Sequence, residues 1–114
     1  MLPKQHRLPL RTDLIEVKEK GRLFQGKLFS LLVAKRETPH PSRFAFIIST
    51  KVHKKAVKRN HARRLLSEAI RELLPQMKSG FDGVFLAKKP LIEANFTQIK
   101  QEVRLLLKKA HLIA

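Results

Sequence analysis

Between Lys51 and Arg64 the chain places seven cations among fourteen residues (Lys51, Lys54, Lys55, Lys58, Arg59, Arg63 and Arg64) and no acid. Arginine offers a planar fork of donors that grips two phosphate oxygens, and lysine adds point charge. Asn60 can donate and accept at a ribose hydroxyl or a base edge. Together they suit the reading of a sugar–phosphate backbone by shape. An idle solvated helix face normally mixes signs; here the acids, Glu68 and Glu72, begin only after the cluster. A second chemistry is raised by His53 and His61, which could form an acid–base pair acting on a phosphodiester. On one continuous helix they would stand about 12 Å apart at 1.5 Å per residue, too far to serve one phosphate. His6, His40 and His111 fall in an N-terminal arm, a turn and the C-terminal end, and no carboxylate pair has the spacing of a metal site. The histidines therefore read as solvated or phosphate-touching, and protein-bound metal sites are unknown.

Composition narrows the partners. The 114 residues carry 25 Lys plus Arg against 9 Asp plus Glu, a net charge of +16. A compact fold with that excess repels itself unless a polyanion neutralises it, and nucleic acid is the expected polyanion. A membrane surface fits less well, because there is no Trp and the apolar faces are needed for a core. Cysteine is absent, which removes disulfides, thiol catalysis and zinc ribbons and fits a reducing compartment, the cytoplasm by default. No apolar run approaches a membrane span, and no export signal is legible.

The elements that must position the cluster follow from periodicity and punctuation. The whole chain, 1–114, reads as one RNA-binding domain, with residues 1–11 as a basic, flexible arm carrying Pro3, Pro9, Lys4, Arg7 and Arg11. Asp13 with Glu16 resembles a capping box opening a short helix from Asp13 to Lys20, stopped at Gly21. Two strands are expected between Leu23 and Arg36, broken at Gly26. A turn follows at Thr38-Pro39-His40-Pro41-Ser42, and a strand from Arg43 to Thr50 completes a hairpin with its predecessor. Apolar residues at Ala62, Leu65, Leu66, Ala69, Ile70, Leu73 and Leu74 hold a helical period to Pro75, where the ladder must end, so the basic helix spans 53–74. Residues 76–83 read as loop, Val84 to Ala87 as a buried central strand, and Asn95 with Gln98 as the cap of a final helix. At 100° per residue Asn60, Arg64, Ser67 and Arg71 fall within about 60° of one another, opposite Leu66 and Leu73. Arg63 borders that stripe, and Glu68 can pair with Arg64 or Arg71.

The run Lys55-Ala56-Val57-Lys58-Arg59-Asn60-His61-Ala62-Arg63-Arg64, closed by Glu68, resembles the RNR signature of the bacterial ribonuclease P protein family. Ser49-Thr50-Lys51 is similar to that family's strand end, Arg11-x-Asp13 and Gly21-Arg22 to its first-helix borders, and Val84 to Pro90 to the strand after the basic helix. The likeness runs from about Leu8 to Leu107. It implies an α+β fold of order αβββαβα, with one mainly antiparallel four-stranded sheet and a left-handed crossover at the basic helix, against the usual right-handed rule. It implies a protein subunit of an endoribonuclease that removes the 5′ leader of precursor tRNA, acting as a monomer in a 1:1 complex with a catalytic RNA. That RNA would carry the chemistry with Mg²⁺, the protein holding no catalytic residue and no cofactor of its own. The implied RNA contacts are Ser49, Lys51, Lys54, Lys55, Lys58, Arg59, Asn60, Arg63, Arg64, Arg71, Lys88 and Lys89. A leader cleft would lie between the first helix and the sheet, at Leu14, Lys18, Phe29 and Phe46. The family tends to carry aromatic residues where Leu14 and Lys18 stand here, so rings for stacking would have to come from the sheet, where alternate Phe positions more often build the core. Without the resemblance, a ribosomal or nucleoid protein binding RNA or DNA through the same helix fits the composition equally; the RNR spacing and the Ser49 to Lys51 strand end separate the two.

Overall fold

The first helix, α1 (Leu10–Lys20), starts where Pro9 cannot extend it backwards. Its first backbone bond runs from the Asp13 N–H to the Pro9 carbonyl at 3.1 Å. The expected start at Asp13 is therefore three residues late. Asp13 makes no capping box, because Arg43 draws its carboxylate towards the sheet. Gly21 does close the helix, its N–H donating to the Val17 carbonyl at 2.7 Å. The computed structural model describes residues 2–36 and 40–114.

Four strands follow: β1 (Arg22–Phe24), β2 (Phe29–Lys35), β3 (Arg43–Ile47) and β4 (Phe81–Ala87). They stand in the order β1-β2-β4-β3. The β2–β3 hairpin expected from the sequence does not form. Instead β4 inserts between the two strands, antiparallel to β2 and parallel to β3. Its apolar content fits this place: Val84 is fully buried towards α1 and Phe85 towards α2 and α3, so the strand is covered on both faces while its two edges are paired. The turn expected at Thr38 to Ser42 lies partly outside the described residues. Strand β4 also begins earlier than its apolar run suggests, taking in Phe81 and Asp82.

The long basic helix, α2 (Ala56–Leu73), joins β3 to β4, and α3 (Phe96–Lys109) packs beside it. Helix α2 gives way at Pro75 to a 3₁₀ turn, Leu74–Gln76. Asn95 and Gln98 form the expected reciprocal cap on α3, at 2.8 and 2.9 Å. Strand alternation then sorts the sheet into two faces. Phe29, Leu31, Phe44 and Phe85 point towards Leu66, Ile70, Leu73, Ile99, Val103 and Leu107, forming the main core under α2 and α3. Ala34, Ala45 and Val84 point the other way, to Val17 and Leu8. At Gly83 a Cβ would stand 2.9 Å from the Phe44 ring, so glycine lets this aromatic pack close against the strand.

The N-terminal segment is not a free extended arm. Leu2 and Leu8 are buried, Lys4–His6 forms a 3₁₀ turn, and the Leu8 N–H donates to the Phe44 carbonyl at 3.0 Å. Two apolar residues six apart gave no periodic signal, yet each fills a gap at a sheet face.

Candidate nucleic-acid interface

The basic cluster spans a turn and a helix. Ser49 and Lys51 are exposed in a turn closed by the Val52 N–H on the Ser49 carbonyl, at 3.0 Å. Lys54 and Lys55 lead into α2, which starts at Ala56 and not at residue 53. Its first turn contains no acid and no side-chain cap, so the positive end of the helix dipole adds to Lys54, Lys55 and Lys58. His53 precedes the helix, where its Nδ1 accepts the Lys55 N–H at 3.0 Å. It does not share a helix with His61.

Two arginines are oriented by the chain itself. The Arg59 guanidinium donates to the carbonyls of His53 and Lys54, both at 2.8 Å, and so fixes the turn against the helix. Arg63 donates to the Asn60 side-chain oxygen at 3.1 Å, leaving the Asn60 amide hydrogens outward. Asn60, Arg64 and Arg71 are exposed along one side of α2 as the 100° projection anticipates, while Ser67 on the same side is buried. Glu68 pairs with Arg71 at 2.7 Å and not with Arg64. Among the described residues no cation between Lys51 and Arg64 forms an ion pair; the paired acids Asp13, Glu16, Glu68, Glu72 and Asp82 all lie elsewhere. The cluster thus faces outward as concentrated, uncompensated positive charge.

The remaining expected contacts divide. Lys89 is exposed, but Lys88 donates to the Gly26 carbonyl at 2.6 Å and the Gln25 side chain at 3.0 Å, which pins the β1–β2 turn. The four residues expected to line a leader cleft are not brought together. Phe29 has no exposed surface and belongs to the core. Phe46 lies on the α2 side of the sheet, 5.8 Å from the Phe85 ring centroid. Leu14 packs on the opposite side with Leu32, Ile47 and Leu86, and Lys18 is exposed on α1. Register explains the separation: Phe24 pairs with Leu31, Leu31 with Phe85 and Phe46 with Phe85, so every phenylalanine of the four strands belongs to the α2–α3 side. The face beneath α1 carries aliphatic residues together with the Arg43 and Asp82 side chains, and no strand phenylalanine.

Sequence reasoning missed a second charged constellation. Asp82, 2% exposed, accepts from Arg43 at 3.0 Å through both oxygens and from Arg36 at 3.2 Å. Asp13 on α1 completes the network through Arg43, at 3.1 Å. The hydrogen bond to Asp82 raises the Arg43 pKa above its already high ordinary value, against an opposing desolvation. With the carboxylates ionised, the contribution of the Arg43 proton is lost only as the pH rises through the arginine range. The one legible hint was an aspartate directly before an otherwise apolar run. A further acid, Glu102 on α3, accepts the N–H groups of Lys27, Leu28 and Phe29 at 2.8–3.1 Å, closing the loop into β2. No three His, Asp or Glu side chains gather as metal ligands among the described residues.

Comparison with known proteins bears directly on this arrangement. A family model described as Ribonuclease P matches residues 2–111. The chain is 40% identical to the ribonuclease P protein component of Microcystis aeruginosa, covering 98% of this chain and 96% of that one. It is 38% identical to that of Synechococcus elongatus, over 98% and 95%. Among solved structures, the RNase P protein of Thermotoga maritima, in complex with 1-(4-fluorophenyl)-2-thiourea, superposes with a TM-score of 0.81 at 29% identity, covering 90% of this chain and 98% of that one. The Staphylococcus aureus protein shares the fold, with a TM-score of 0.85 at 21% identity over 97% and 100%.

Proposed function

The chain belongs to the ribonuclease P protein family, and from that premise we propose that its basic turn and helix dock on the catalytic RNA while the face beneath α1 receives the leader of precursor tRNA. The chain is the protein subunit of ribonuclease P, an endoribonuclease of tRNA processing, and it works with the ribonuclease P RNA and precursor tRNA. Nothing in these relatives favours a ribosomal or nucleoid protein.

The observation that carries the docking reading is the outward, acid-free charge of Lys51 to Arg64. Lys51, Lys54, Lys55 and Lys58 supply point charge around the bare start of α2, where backbone N–H groups also favour phosphate. Asn60, Arg63, Arg64 and Arg71 follow along the helix, with Ser49 and Lys89 at the margins. Arg59 and Lys88, tied to backbone carbonyls, act first on loop geometry and through it on RNA. On the α1 side, Leu14 and Lys18 offer apolar contact and charge to a single strand passing beside Leu32, Ile47 and Leu86. With no ring on that face, the leader is held by phosphate and aliphatic contact and not by stacking. In this reading the protein binds as a monomer to one RNA in the cytoplasm. The hydrolysis belongs to the RNA and its Mg²⁺, the protein raising local cation density and aligning the substrate; none of the chain's own side chains takes the proton or attacks the phosphorus. Among the described residues no helix is long and apolar enough to cross a membrane.

Reconstitution tests this directly. Mixed with a bacterial ribonuclease P RNA, the protein should restore cleavage of precursor tRNA at low Mg²⁺, where the RNA alone is slow, and should cleave nothing without it. Affinity for that RNA should fall with a log–log salt slope of about −4 to −7, for roughly six to eight neutralised phosphates. Cleavage by the protein alone, or a flat salt response, would refute the reading.

A further inference from the structure

Beside the basic stripe, and sharing Asn60, Arg63 and Arg64 with it, lies a pocket whose apolar floor neither phosphate docking nor leader binding uses. It holds about 280 Å³ and is lined by Leu2, Arg7, Phe44, Phe46, Asn60, Arg63, Arg64 and Ser67. Its floor is apolar: Leu2 and Phe44 are 3% and 2% exposed, and Phe46 is half-buried. Its rim is cationic, with three guanidinium groups and one amide. Two of these are held in place, Arg7 by its Nε on the Leu2 carbonyl at 2.8 Å and Arg63 by the Asn60 oxygen at 3.1 Å. The Phe46 ring cannot retreat, because Phe85 backs it at 5.8 Å between centroids. The volume sits just under the span of about 300–1,000 Å³ usual for small-molecule sites, which suits one planar ring system and not a longer ligand.

A phosphate would find charge here but no use for the aromatic floor. An apolar side chain would find the floor but would desolvate three cations without partners. A nucleobase satisfies both, with a π-face for Phe46 and an edge of acceptors for Arg7, Arg63 and Arg64. We propose that this pocket takes one unstacked base of the partner RNA, its ring against Phe46 and its acceptor edge towards the guanidinium groups. This rests on the docking reading above, since Asn60, Arg63 and Arg64 of the rim belong to the same helix face. It adds a point of register to an interface otherwise built on phosphates, which by themselves would let the helix slide. Purines, with larger faces and, in guanine, the paired O6 and N7 acceptors, fit the arginine fork best.

Binding of a bacterial ribonuclease P RNA by titration, with variants of opposite kind, tests the proposal. Phe46→Leu keeps the site apolar but removes the ring face, and Ser67→Leu fills the pocket from its wall. Each should weaken binding about 5- to 100-fold while leaving the salt slope unchanged, because no phosphate contact is lost. The chain has no Trp or Tyr, so Phe46→Trp introduces the only indole. Its fluorescence should be quenched at saturating RNA, while an indole introduced by Ile15→Trp, at a position 70% exposed on α1, should not be. Wild-type affinity in both Leu variants, or an unquenched indole on fully bound protein, would overturn the base pocket and leave the phosphate account standing. Quenching by precursor tRNA alone at lower concentration would overturn the assignment to the partner RNA. Absence of salt-dependent binding by the wild-type protein would instead bring down the docking reading itself. The fluorescence arm keeps an aromatic ring at position 46, so it decides the matter even if the Leu variants melt early.

Discussion

Two groups of arginines in this molecule share one chemistry and have opposite fates. Arg36 and Arg43, 28% and 21% exposed, are surrounded by Asp13 and Asp82 and serve as a clasp between α1 and the sheet. Arg63 and Arg64 sit on α2 and form no ion pair among the described residues, Glu68 being taken by Arg71. The guanidinium group is the same in both places; burial and the presence of acids decide whether it holds the fold or faces a partner. With so few acids in a chain of net charge +16, and two of them held in one clasp, the segment from Lys51 to Arg64 is left uncompensated.

Substitutions that exchange these fates should separate the two regions. The largest effect is expected for Asp82→Ala, which leaves Arg36 and Arg43, beside the start of β4, with Asp13 alone as carboxylate partner among the described residues. Breaking a buried pair costs about 3–5 kcal/mol, and the partial exposure of Arg36 and Arg43 lowers this to about 2–4 kcal/mol. Urea unfolding checks it, and a loss under about 1 kcal/mol would show that the clasp is dispensable. Arg59→Ala is the intermediate case, because that side chain holds two carbonyls of the turn that the docking proposal sets against the RNA. It should lose about 1–2 kcal/mol of stability, the scale of hydrogen bonds from a charged group, and also weaken RNA binding. If only one of the two readouts moves, Arg59 belongs wholly to one region.

Arg64→Ala should leave stability within about 0.5 kcal/mol and reduce the magnitude of the RNA-binding salt slope by about 1. A destabilised fold with an unchanged slope would reverse its assignment. The smallest effect is expected for Glu68→Ala, which removes an exposed i,i+3 pair with Arg71. Stability should change by no more than about 0.5 kcal/mol, and RNA affinity should rise slightly as Arg71 is released; a weaker complex would mean that Glu68 orients the arginine productively.

The contrast also shows where sequence reading succeeds. Helix α2, its end near Pro75, the cap at Asn95, the central place of β4 and the outward stripe of Asn60, Arg64 and Arg71 were all legible, because each rests on local steric or periodic rules. The start of α1 and the β2–β3 hairpin were misjudged for a common reason. Asp13 could have capped its own helix, and β2 could have paired with β3, but in each case a distant partner supplied more: Arg43 for the carboxylate and β4 for both strand edges. The cleft residues failed on parity, since Phe29 and Phe46 could be placed on a face only once the register with Phe85 was known.

What the sequence by itself determined is the basic helix and its chemistry, because helical spacing and residue type fix a stripe without reference to anything beyond the next turn. Only the tertiary structure decided which cations the stripe keeps. Ion pairing is set by distance in space: Asp82, far along the chain from Arg43, lies beside it only because β3 and β4 run parallel. The same folding brings Leu2 and Arg7 against Phe46 and Asn60, forming a pocket whose two sides carry no common signal along the chain.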